Sequence, residues 1–89
     1  MSERICDVAE RVLRKTDNPA VMWGDFGLLD SIAKEAGRPL GGHPLVRHSK
    51  ILDALSRTPG RLVPGTTLDG RGRRVRIFWL HEHVPEHLK

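Results

Sequence analysis

At Thr58-Pro59-Gly60 the spacing of apolar residues changes, and this limits the folds open to the chain more than any other feature. Upstream, apolar residues recur every three or four positions; downstream, they alternate. A helix has the first period and a strand the second, so helices precede strands here. Ile5, Val8, Ala9, Val12 and Leu13 form the first stripe. It predicts a helix from about residue 3 to 15, with Ser2 as N-cap and a stop at "TDNP", because the residue before Pro19 is pushed out of the α region. Val21, Met22 and Trp23 then read as a short extended apolar piece. Leu28, Leu29, Ile32, Ala33 and Ala36 make a second stripe, capped by Asp25 and closed by Gly37. "RPLGGHPL" is a loop in which Pro39 and Pro44 fix φ, and Pro44 also opens a third helix, "PLVRHSKILDALSRT". At 100° per residue, this helix places Leu45, Ile51, Leu52 and Leu55 on one side. Val46, Arg47, Lys50, Asp53 and Arg57 lie opposite, giving it a basic outer face.

Beyond Gly60, "RLVPG" and "RRVRIFWL" are extended runs joined by "TTLDGRG". In the second run, Val75, Ile77 and Trp79 alternate with Arg74, Arg76, Phe78 and Leu80. The latter face is charged near the turn and apolar from Phe78 onward, so the base of the hairpin is expected to be buried and its tip free. Gly70 and Gly72 suit a tight turn, after which Pro85 ends the strand.

A chain of 89 residues is sufficient for one core. Its single cysteine, Cys6, excludes an internal disulfide and points to a reducing compartment. No apolar run approaches the ~18 residues of a membrane span, and the charged start is unlike a signal peptide. A cytoplasmic protein with no membrane partner is therefore expected. The formal net charge is +4, but between residues 45 and 76 eight basic residues face only Asp53 and Asp69, whereas the flanking segments are slightly acidic. Such a segment repels itself on compaction, and an external polyanion relieves the repulsion.

Three helices followed by a basic hairpin resemble the winged helix-turn-helix superfamily over residues 3–80. The resemblance implies an α+β fold, a three-helix winged helix-turn-helix with a C-terminal two-stranded β-hairpin wing, in residues 1–81, followed by a polar tail in 82–89. It further implies a DNA-binding protein, a transcriptional regulator or an accessory factor of a mobile element or replicon, nucleoid-associated within the cytoplasm. The third helix would enter the major groove, and the wing would follow the backbone. Arg47, Lys50 and Arg57 would then be the groove-facing set and Arg71, Arg73, Arg74 and Arg76 the wing set, because the guanidinium fork pairs with phosphate or guanine. Neutralising five or so phosphates gives a log K against log salt slope of roughly −4 to −5. The outer face offers no Asn or Gln, so strong sequence specificity is not expected. Arginines on a hairpin also have a plainer reading, the protection of an edge strand from pairing with another chain.

Trp23, ahead of the second helix, and "KILDALSRTP" at 50–59 also resemble the LOTUS (OST-HTH) domain, whose members bind RNA or helicase partners. That family's glycine-tyrosine before the lysine is replaced here by Arg47-His48. Structured RNA is thus the second partner class. A third reading is a winged-helix protein-docking module, with the first helix or the tail as contact surface and a homodimer as one form.

Other motifs carry less. His81, His83 and His87 lie far from Cys6 in sequence, short of a zinc set, and no metal or other cofactor is expected. His48 falls on the inner flank of the third helix and reads as packing, while His43 borders the contact surface. Trp23 and Trp79 read as core, with base stacking as the alternative. No phosphate loop or nucleophile elbow occurs, and Cys6 stands beside Asp7 and Glu10, the reverse of the electropositive setting of a reactive thiolate. An enzyme is not expected.

Overall fold

The computed structural model describes residues 3–37 and 40–88. The expected cap Ser2 and the loop proline Pro39 lie outside the described residues. Three helices, α1 (Ile5–Lys15), α2 (Phe26–Ala36) and α3 (Pro44–Arg57), are combined with three strands, β1 (Ala20–Met22), β2 (Leu62–Leu68) and β3 (Arg74–Leu80). The helix bounds follow the apolar stripes closely. Asp25 caps α2 by accepting the Leu28 N–H, and Gly37 ends it in the left-handed region. Pro44 opens α3, and His43 caps it: its Nδ1 accepts the Leu45 N–H at 3.1 Å. That cap was not foreseen, since histidine lies outside the usual capping set.

The sheet corrects the expected two-stranded hairpin. It has three antiparallel strands in the order β1-β3-β2. The short apolar piece before α2 is an edge strand, with Ala20, Val21 and Met22 opposite Trp79, Phe78 and Ile77. β2 also runs further than "RLVPG", through Thr66, Thr67 and Leu68, so that Leu68 faces Arg74. Burial on the helix side decides the strand faces. Leu62, Phe78, Leu80 and Val21 join the apolar residues of all three helices in one core. Phe78 is its largest fully buried side chain.

Three expectations about burial are corrected. Leu45, assigned to the inner side of α3, is 46% exposed, because it falls on the flank of the stripe in the first turn; His48 takes its place beside Ile51, Leu52 and Leu55. Trp23 and Trp79 are half-buried rather than enclosed. Trp23 flanks the core, whereas Trp79 shares the opposite face of the sheet with Ile77. The strand ends at Leu80, ahead of Pro85, in a 3-10 turn over His81–His83. In the tail, Val84 is buried and the Glu82 carboxylate accepts from Arg14 Nη1 of α1 at 2.5 Å.

The turn between β2 and β3 is tied by one carboxylate. Asp69 Oδ1 accepts the N–H groups of Arg71 and Arg73 at 2.8 and 2.9 Å, and Oδ2 accepts Arg73 Nε at 3.3 Å. These backbone donors, Arg73 first and then Arg71, hold the Asp69 carboxyl below its ordinary range. Gly72 has φ 77°, the conformation that glycine adopts without strain.

Candidate nucleic-acid interface

Lys50, Asp53 and Arg57 are spaced i, i+3, i+7 and therefore share one stripe of α3. Arg74 and Arg76 share the helix-side face of β3, two residues before Phe78. One contact joins the stripe to the strand. Arg76 Nη1 donates to Asp53 Oδ1 at 2.9 Å and to Ser56 Oγ at 3.2 Å. The Arg76 side chain thus ties β3 to the outer stripe of α3, with Arg74 one step further toward the turn. Val46 is exposed on the same side of α3.

The seven cations expected at the site are not equivalent. Arg73 is held by Asp69 and Arg76 by Asp53. Arg47 turns toward the loop and α2, donating to the Gly42 carbonyl at 3.2 Å and standing 3.9 Å from Asp30. Its angle on the helix places it at the border of the stripe, and the nearest anion lies on the α2 side. Lys50, Arg57, Arg71 and Arg74 make no ion pair among the described residues. These four are the cations available to an external anion.

No family model, curated protein or solved structure matches this chain.

Lys34 of α2 also makes no ion pair among the described residues, whereas the cations around α1 contrast with the four. Arg61, counted in the basic segment, donates through Nε to Glu10 Oε1 at 3.1 Å, and its Nη2 lies 2.9 Å from Oε2. Arg14 also reaches Glu10 and binds Glu82, whose carboxyl it holds down to about 2 through that hydrogen bond. Arg11 pairs with Glu3 and Glu35, and Lys15 with Glu35. The cations of α1 are thus neutralised in place.

His48 is 1% exposed, its Nε2 is 2.8 Å from Asp30 Oδ1, and its ring stacks on Phe26 at 5.2 Å. The packing role expected of it holds, and the hydrogen bond locks α3 to α2. Sequence reasoning missed Asp53 and Asp69 as clasps, treating them only as charges to subtract. An Asp followed two and four residues later by the backbone of a Gly-rich turn is the signal that marks Asp69.

Proposed function

We propose that the chain is a winged-helix protein that binds nucleic acid, duplex DNA in the first place, through the α3 stripe and the wing. The observation that carries this reading is the Arg76–Asp53 contact at 2.9 Å, which ties β3, the strand of Arg74, to the α3 stripe of Lys50 and Arg57. A single strand edge guarded by arginines would not need a basic helix beside it. Four unpaired cations supply sequence-blind attraction to phosphate, with a log K against log salt slope of about −3.6, at roughly −0.9 for each phosphate neutralised. Exposed Val46 is suited to the methyl group of a thymine, but the stripe holds no amide side chain for reading adenine. Binding is therefore weakly specific and non-catalytic, as in an accessory or architectural factor.

The test is a salt titration of one preparation against duplex DNA, single-stranded DNA and a structured RNA. Duplex DNA is expected to bind most tightly at low salt. Reversal of Lys50, Arg57, Arg71 and Arg74 to Glu should abolish binding while leaving the circular dichroism spectrum unchanged. Tighter binding of the RNA would favour the LOTUS-like reading, and no binding to any of the three would refute the proposal.

One observation favours a protein-docking reading as well. The sheet face turned away from the helices carries Met22, Val63, Val75 and Trp79, all half-buried, around buried Ile77. A concentration-dependent mass in sedimentation, lost on changing Val63 and Val75 to Lys, would support a homodimer through this face.

A further inference from the structure

β1 ends at Met22, opposite Ile77, whereas β3 extends back to Arg74. The last bond between them runs from the Trp23 N–H to the Arg76 carbonyl at 3.1 Å. Backbone groups of an antiparallel strand alternate sides, so Arg74, two residues earlier, turns its own N–H and C=O to the same side. No strand among the described residues covers that side of Arg74. The gap is a cleft of about 320 Å³ lined by Trp23, Arg73, Arg74, Val75 and Arg76. Trp23 stands opposite Arg76 on the helix-side face, half-buried and packed against the core at its inner edge.

The cleft therefore combines an anchored indole, the open backbone N–H and C=O of Arg74, and its guanidinium, which has no ion pair among the described residues. Each suits a different part of a nucleotide. An indole stacks on any base, a peptide group bonds to a base edge, and a guanidinium pairs with a phosphate. An added peptide strand would need a run of open backbone groups, and Arg74 offers only one residue. The rim of arginines also disfavours a neutral chain. We propose that the notch between Trp23 and Arg74 binds one unpaired nucleobase, so that the protein prefers a duplex carrying an unpaired end or bulge to a fully paired one. This rests on the nucleic-acid reading above, because the notch opens on the face that holds Arg74 and Arg76.

The chain has two tryptophans, so the Trp79→Phe variant reports Trp23 alone. Its emission should be quenched by a DNA hairpin with a short single-stranded overhang and little changed by the blunt hairpin. The overhang hairpin should also bind roughly 5- to 150-fold more tightly, the range that stacking one base on an aromatic ring supplies. Trp23→Leu should bring that ratio toward one without weakening blunt-hairpin binding, and Trp23→Phe should keep most of it. Equal quenching and equal affinity for the two hairpins would overturn the proposal while leaving the nucleic-acid reading intact. Equal losses for both hairpins in a folded Trp23→Leu variant would do the same. Failure of both hairpins to bind at low salt would remove the two readings together.

Discussion

Asp53 is the carboxylate on the α3 stripe of the proposed contact surface, and replacing it should strengthen binding. Its side chain is 48% exposed and that of Arg76 is 41% exposed. A pair so open to water contributes only about 0–1 kcal/mol to folding, so Asp53→Ala should unfold at nearly the parent temperature. Two changes then act on a bound polyanion. A negative charge leaves the surface, and the Arg76 guanidinium, retained at the wing by β3, becomes free to meet a phosphate. The number of available cations rises from the set of Lys50, Arg57, Arg71 and Arg74 to that set plus Arg76. The slope of log K against log salt should steepen by about 0.9, from about −3.6 to about −4.5. Fluorescence anisotropy of a labelled duplex between 50 and 300 mM salt reads this directly, with thermal melting as the control for folding. An unchanged slope would mean that Arg76 does not reach phosphate. Weaker binding by a folded variant would mean that the clasp has to hold the wing in place, and would refute the proposed repulsion from Asp53.

The fold and the acid response give further predictions. Gly60 has φ 60°, and a Cβ there would lie 2.8 Å from Cys6 Sγ. Gly60→Ala should cost about 1–3 kcal/mol, read as a fall in the urea midpoint, and substituting Cys6 with Gly as well should recover the steric part. Glu82, held down to about 2 chiefly by Arg14, and Asp69, lowered chiefly by the Arg73 and Arg71 N–H groups, titrate lower folded than unfolded. Their stabilisation is complete above the unfolded carboxyl values near 4 and is lost as pH falls below them, toward 2 for Glu82. Melting temperature should drop over that window, and Arg14→Ala should flatten the drop. The Glu10 side chain is only 8% exposed between two open arginines. Removing Arg14 and Arg61 together should cost about 3 kcal/mol or more in chemical denaturation, whereas Glu10→Gln, which leaves no buried charge, should cost less.

Much of this architecture was legible in the spacing of apolar residues. α1, α2 and α3 follow three stripes, and the Asp25 and Gly37 caps follow from residue chemistry alone. β1 was harder to assign, since Ala20–Met22 is too short for a period and is a strand only because β3 offers an open edge to pair with. The interface was half legible. Its cations could be counted, but which of them are free depends on carboxylates distant in sequence, such as Asp53 for Arg76 and Glu10 for Arg61. No local pattern announces a pairing across 23 or 51 positions. The notch beside Trp23 was illegible for the same reason, because it exists only where one strand stops and its neighbour continues.

The division of charge supplies an independent reason to expect a polyanion. Around α1, Glu3, Glu10, Glu35 and Glu82 meet Arg11, Arg14, Lys15 and Arg61 in direct contact, so this part of the surface is locally balanced. On α3 and the β2–β3 hairpin the clasping carboxylates hold geometry, Asp69 the turn and Asp53 the strand, and Lys50, Arg57, Arg71 and Arg74 have no ion pair among the described residues. The cations of α1 have carboxylate partners in the same chain, whereas these four have none among the described residues. Unpaired cations on one surface repel one another, and the Debye length that screens them is about 10 Å at 0.1 M salt. Salt relieves that repulsion by screening, and a phosphate backbone relieves it by contact. Duplex DNA should therefore raise the melting temperature at low salt, with an effect that fades as salt is added, whereas a balanced surface would respond to neither.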